Sequence, residues 1–167
     1  MIVIFEGHDH SGKSTIAQEF AKRYNGIYIR DKYLKDAAIE HVNQSYARYQ
    51  LALFLPAFDQ KKLIVIDRAI LSHLVYASVF HQAINSEVAK ETLNALAGKA
   101  IHIICYKQGK LERDELFDNQ EKVRWFFLNN IPNTDPQFFK INTTSQDLES
   151  QLKAIRTAVE RYFNVRI

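Results

Sequence analysis

The chain has 167 residues, 47% apolar and 25% charged, with 22 Lys+Arg against 19 Asp+Glu and a net charge of +3. This is ordinary globular usage, expected for a single domain spanning 1–167, and it excludes disorder, collagen-like repeats and, with one cysteine, a disulfide scaffold. The longest apolar stretch, Leu51 to Phe58, contains Pro56 and falls far short of the ~20 residues that cross a bilayer; with no signal-peptide pattern at Met1–Glu6, a cytoplasmic protein without a membrane partner is expected.

In chain order, Ile2–Phe5 predicts a buried strand, and Ser14–Tyr24 predicts a helix with Ile16, Ala17, Phe20, Ala21 and Tyr24 on one stripe. Gly26–Ile29 predicts a second strand. Ile39–Phe58 reads as one long helix, or two joined near Pro56, apolar around most of its second half. A third strand follows at Leu63–Ile66, then helices at Ile70–Phe80 and Val88–Ala97, with Asn85-Ser86 as a cap and Gly98 as a stop. Ala100–Tyr106 predicts a fourth strand, in which Cys105 reads as buried and inert. Lys107–Asp118 is charged throughout and reads as a loop or a short lid helix. Asn119–Asn130 predicts a helix whose Trp125-Phe126-Phe127 run suits the core or a homodimer contact, and Phe138–Ile141 predicts the last strand. The closing helix carries Leu148, Leu152, Ile155, Val159 and Phe163 on one stripe. Strands alternating with helices imply an α/β fold: a doubly wound, five-stranded, mainly parallel sheet with helices on both faces.

The strongest chemical signal is Gly7-His8-Asp9-His10-Ser11-Gly12-Lys13-Ser14, a full match to the phosphate-loop pattern G-x-x-x-x-G-K-S/T, set between a strand and a helix. Successive N–H groups from His10, Ser11 and Gly12 through Thr15, with the positive helix end, suit a polyphosphate such as that of ATP. Lys13 is expected to bridge the β- and γ-phosphates and Ser14 to hold Mg2+. Gly7 and Gly12 allow the tight curl and the close approach of an anion. Asp67, ending the third strand, is the second metal candidate, holding Mg2+ through water; a helix cap is the alternative. Arg68 follows as a phosphate clamp.

Phe5-Glu6-Gly7-His8-Asp9-His10-Ser11-Gly12-Lys13-Ser14-Thr15 resembles the phosphate loop of the thymidylate kinases, F-E-G-x-D-G-x-G-K-S/T-T, and Asp67-Arg68 with Ser72 and Tyr76 is similar to that family's D-R-Y-x-x-S-x-x-A-Y segment. The resemblance implies a P-loop NTPase fold of the nucleoside monophosphate kinase type, with ATP as donor, an acceptor site and a short basic lid. It places Asp9 near the acceptor sugar, Arg68 on the acceptor phosphate, and Arg30-Asp31 where the family carries Arg-Glu-Pro. Asp31 then organises Mg2+ and water, or serves as general base in a hydroxyl kinase, or is an exposed loop charge. Tyr46, Arg48, Gln50 and Phe54 correspond to the acceptor-base pocket, with core packing the other reading of Phe54. Lys107, Lys110 and Arg113 correspond to the lid over about 107–118, where Lys110 or Arg113 takes the arginine-finger role because position 10 is His; a solvated charged loop is the alternative. Ala77 stands where the family often has a base-reading Gln, which leaves the base open.

The implied activity is transfer of the γ-phosphoryl group to a (deoxy)nucleoside monophosphate. A hydroxyl-directed kinase acting on a deoxynucleoside or a polynucleotide is the alternative, and a nucleotide-binding switch a weaker one. The dispersed basic residues give no independent sign of nucleic acid, and the scattered histidines give none of zinc.

Overall fold

Among the described residues, five strands form where short β-branched runs are bounded by turn residues, and all of them pair in parallel. A computed structural model describes residues 1–30, 62–81, 85–109, 117–144 and 147–167, the side chains of 117 and 118 excepted. In chain order these are β1 (Ile2–Glu6), α1 (Lys13–Arg23), β2 (Ile27–Arg30), β3 (Ile64–Asp67), α2 (Ile70–Val79), α3 (Ser86–Leu96), β4 (Ala100–Tyr106), α4 (Phe117–Asn129), β5 (Phe138–Asn142) and α5 (Leu148–Phe163). The sheet order is β2-β3-β1-β4-β5. The long helix expected over 39–58 lies outside the described residues.

Side-chain alternation along the strands divides the core into two layers. Val3, Phe5, Val65, Ile101, Ile103 and Cys105 face α1 and α5, where they meet Ile16, Phe20, Leu152, Ile155 and Val159. Ile2, Ile4, Ile64 and Ile66 face the opposite side with Ile70, Ala89 and Leu96, while Ile104 packs with Val75, Val123 and Phe127. Helices therefore cover both faces, as a parallel sheet requires. The central strands β1 and β3 are fully buried, whereas the edge strands β2 and β5 are mostly half-buried, with Ile27 45% exposed. Position in the sheet, not residue type, makes that difference.

The caps follow local chemistry. Asn85 accepts from Val88 N at 3.1 Å to start α3, and Asp147 accepts from Ser150 N at 2.9 Å to start α5. Gly98 follows the end of α3 at φ 72°, and its N–H donates to the Tyr162 hydroxyl at 3.1 Å. In α4 the aromatic run divides: Phe127 is buried, while Trp125 is 60% exposed.

Phe20 is fully buried, with ring centroids 5.9 Å from Phe5 and 4.7 Å from Tyr24. Phe20→Ala is expected to lower unfolding free energy by about 3–5 kcal/mol. Asn85→Ala, which removes one cap bond at the surface, is expected to lower it by only about 1 kcal/mol. Urea titrations of the two variants test the difference.

Candidate functional site

Two neighbouring strand ends build the site. Phe5 pairs with Asp67 in register, so the phosphate loop leaving β1 and the Asp67-Arg68 pair leaving β3 emerge side by side. Helices after these strands lie on opposite faces, which opens a crevice at the carboxyl edge of the sheet.

The loop's path depends on glycine at Gly7. Its φ is 141°, and a Cβ there would sit 2.1 Å from the carbonyl oxygen of Cys105, so no side chain fits where the loop passes over β4. His10 and Gly12 continue the curl at φ 60° and 78°, and Gly12 caps α1. The first-turn N–H groups of α1 have no carbonyl partner within the helix, which favours an anion at this end. Thr143, just beyond β5, donates Oγ1 to Ser11 O at 2.8 Å and braces the loop from outside. The Ser11 hydroxyl is buried without a hydrogen-bond partner among the described residues. Ser14 is half-buried in the first turn of α1, with Thr15 exposed beside it.

Lys13 is 5% exposed; its Nζ donates to His8 O at 3.2 Å and lies 3.9 Å from Asp9 Oδ1. Burial, reinforced by the Arg68 charge, pushes its pKa down to about 8. A bound anion would favour the charged form and raise the pKa again.

Asp67 is also buried. Tyr28 donates its hydroxyl to Asp67 Oδ2 at 2.9 Å, while Oδ1 has no hydrogen-bond partner among the described residues. Asp67 interacts electrostatically with Lys13, the residue before Ser14, and an unpartnered carboxylate oxygen with a hydroxyl is a hard-donor set that fits Mg2+ through water, which makes Asp67 and Ser14 the fitting metal candidates. Arg30 ends β2, in register with Asp67, and is exposed at the same edge.

Arg68 adopts φ 73°, a left-handed conformation that costs a non-glycine residue of order 1–3 kcal/mol. Its N–H donates to Phe5 O at 2.9 Å, and its guanidinium pairs with Asp9 and lies 5.1 Å from the Tyr76 ring centroid. Asp9 is gripped from the other side as well: Asp9 N donates to Gln120 Oε1 at 2.8 Å, and Gln120 Nε2 donates to Asp9 Oδ2 at 2.9 Å. The Tyr76 hydroxyl stands 3.5 Å from Gln120 Oε1, and burial pushes its pKa up to about 12.

His8 is fully buried in the loop. Its Nδ1 lies 2.6 Å from Asp9 O, and the Lys107 N–H donates to Nε2 at 3.1 Å. Burial, with Arg124 and Lys13 adding, pushes its pKa down to about 4 despite the bond to Asp9. Cys105 is buried beneath, its thiol pKa pushed up by burial to about 12, which agrees with an inert thiol.

The structure thus brings Gly7, Asp9, His10, Ser11, Gly12, Lys13, Ser14, Thr15, Arg30, Asp67, Arg68 and Tyr76 to one sheet edge. Ser72 is 2% exposed and donates its hydroxyl to Glu6, which braces α2 against β1. Asp31, Tyr46, Arg48, Gln50, Phe54, Lys110 and Arg113 lie outside the described residues. Lys107 is described at the exit of β4, where Arg124 Nη1 donates to Lys107 O at 2.9 Å and to Gly109 O at 2.6 Å. Sequence reasoning missed His8, Tyr28, Thr143 and Gln120 as site supports. Gln120 and Arg124 are one helical turn apart, a spacing visible in sequence, but their partners are far away along the chain.

The parallel order β2-β3-β1-β4-β5, with a phosphate loop after β1 and Asp-Arg after β3, is the P-loop kinase fold of the thymidylate kinase-like proteins. The YorR protein of Bacillus subtilis, solved in complex with phosphorylated GDP, matches with a TM-score of 0.71 at 18% identity over 100% of both chains. Thymidylate kinase from Candida albicans matches with a TM-score of 0.69 at 17% identity, over 98% of this chain and 92% of that one. Thymidylate kinase from Ehrlichia chaffeensis matches with a TM-score of 0.67 at 17% identity, over 96% and 98%. No protein-family model matches the chain, and no curated protein sequence does.

The Lys13 shift carries a pH signature. Below about pH 8 the lysine is charged in both the folded and unfolded states; between about 8 and 10.5 the unfolded chain keeps a proton that the folded protein has released. Stability is therefore expected to rise with pH across that window, by about 3 kcal/mol relative to Lys13→Met. Paired denaturation curves of wild type and variant at several pH values check it.

Proposed function

We propose that the chain is an ATP-dependent phosphotransferase that moves the γ-phosphoryl group of ATP to a (deoxy)nucleoside monophosphate, as a single-domain, thymidylate kinase-like enzyme. The observation that carries this reading is the pairing, at one sheet edge, of a buried lysine in a phosphate loop with a second cation, Arg68, held against Asp9. One cation suits the donor phosphates and the other the acceptor phosphate. The phosphorylated GDP bound by the YorR protein and the two thymidylate kinases supports a nucleotide as substrate.

In this mechanism the loop from Gly7 to Thr15 cradles the donor phosphates. Lys13 neutralises charge on the transferred group, where electrostatic stabilisation counts most in a water-poor site. An oxygen of the acceptor phosphate forms the new bond to the γ-phosphorus as the bond to the β–γ bridging oxygen breaks, leaving ADP. That oxygen is already ionised, so positioning matters more than a base. Arg68 exchanges its Asp9 partner for the acceptor phosphate, which releases the Asp9 carboxylate toward the acceptor sugar. Mg2+, which Ser14 and Asp67 would hold, supplies charge neutralisation between the phosphates. Tyr76 packs beneath Arg68 and keeps its guanidinium in place.

A Mg-ATP transfer screen against nucleoside 5′-monophosphates, free nucleosides and 5′-hydroxyl oligonucleotides tests the reading. Transfer to a monophosphate is expected, with Lys13→Ala close to the blank and Arg68→Ala lowering kcat/KM for the acceptor by roughly 10²-fold. Transfer confined to hydroxyl acceptors would move the chemistry to Asp31 as general base. Transfer to none would sink the kinase assignment.

A further inference from the structure

A parallel ladder joins β1 to β4 as far as Glu6 opposite Ile104, and there β1 curls into the phosphate loop. Lys107, just past the end of β4, has left that ladder, yet its N–H has an acceptor: the imidazole Nε2 of His8, 3.1 Å away and 99 positions earlier in the chain. A side chain takes over where backbone pairing stops.

Only one form of histidine satisfies both contacts. Nε2 receives an N–H, so it carries a lone pair; the proton sits on Nδ1 and is donated to Asp9 O at 2.6 Å. An imidazolium would set an N–H against the Lys107 N–H, in a position that already faces Lys13 and Arg124. An apolar side chain would fill the volume and leave the amide without an acceptor. The bridge also closes a ring of contacts. Lys107 O and Gly109 O accept from Arg124; one turn earlier on α4, Gln120 bonds both the N–H and the carboxylate of Asp9; and Asp9 O returns to His8. Phosphate loop, β4 exit and α4 are thereby fixed against one another, and the ring holds Asp9, which faces both Arg68 and Lys13, while Lys13 is also bonded to His8 O.

We propose that His8 is a positioning residue: a neutral, two-ended bridge that locks the phosphate loop to the exit of β4 and so sets the acceptor-side pair Asp9–Arg68 in register with the donor-side Lys13. Its effect on turnover rests on the kinase reading above; the bridge itself rests on geometry alone.

The test combines a measurement without substrate and one with it. Long-range ¹⁵N–¹H correlation spectra of the histidine rings at about pH 7 are expected to show His8 as the Nδ1–H tautomer. In His8→Leu, hydrogen exchange at the Lys107 amide is expected to accelerate about tenfold or more. With Mg-ATP and the best monophosphate of the screen, kcat in that variant should fall about 10- to 100-fold while KM for ATP stays within about twofold. His8→Gln, whose Oε1 can accept the Lys107 N–H, should recover both slow exchange and most of the turnover. An Nε2–H tautomer, an imidazolium at about pH 7, or unchanged Lys107 exchange in His8→Leu would each overturn the bridge. If His8→Leu does not fold, the tautomer and the exchange rate in wild type and His8→Gln decide the question. Should the wild type transfer phosphate to nothing, the kinase reading falls, while the spectra still decide the bridge.

Discussion

The passage of the phosphate loop over β4 at Gly7 is the constraint on which the rest of the site depends. A Cβ at that position would lie well inside the Cys105 carbonyl, so the loop runs in contact with the backbone of the neighbouring strand. That closeness brings Ser11 within reach of Thr143 beyond β5 and His8 within reach of Lys107 beyond β4. It also starts α1 directly over the sheet edge, which buries Lys13 instead of leaving it in solvent. A side chain at Gly7 would lift the loop and loosen all three contacts together, because they share one short stretch of backbone.

The site stores electrostatic tension that a ligand can relieve. Lys13 is desolvated and stands near Arg68, and Arg68 holds a left-handed backbone conformation. Asp67 keeps one carboxylate oxygen without a partner, and Asp9 is shared between Arg68 and Gln120. Burying charges in incomplete pairings opposes folding, so the opposing two-layer core must supply the surplus. An anionic ligand with a divalent cation would complete the pairings. In the proposed function, the strain of the empty site and the binding of a polyphosphate would be two aspects of one arrangement.

Helix α4 gives the site its reach across the chain. Gln120 and Arg124 sit a turn apart on a helix anchored in the core by Val123 and Phe127, so packing on one face fixes the polar grip on the other. The loop is positioned by its own glycines and also by a rigid element more than a hundred positions later. Glu6 and Ser72 supply the corresponding brace from α2, beneath the loop.

Much of this was legible in the sequence. The strands fall within about a residue of their apolar runs, because short β-branched segments between turn residues have few other ways to bury themselves. The phosphate loop is readable because its function needs glycines, a lysine and a hydroxyl at fixed local spacing, all within eight residues. The motif position of Ser72 was visible as well, but its bond to the buried Glu6 was not. The half-exposed edges β2 and β5 likewise resemble interior strands in composition and differ only in sheet position. The sequence by itself determined the α/β class, the strand and helix pattern and the place of the glycine-containing loop between β1 and α1, since each rests on local periodicity or local spacing. Only the tertiary structure decided that Tyr28 would bond one oxygen of Asp67, that Gln120 would share Asp9 with Arg68, and that His8 would bridge to Lys107, because hydrogen bonds across 39 to 111 positions depend on sheet order and helix packing, which local spacing does not encode.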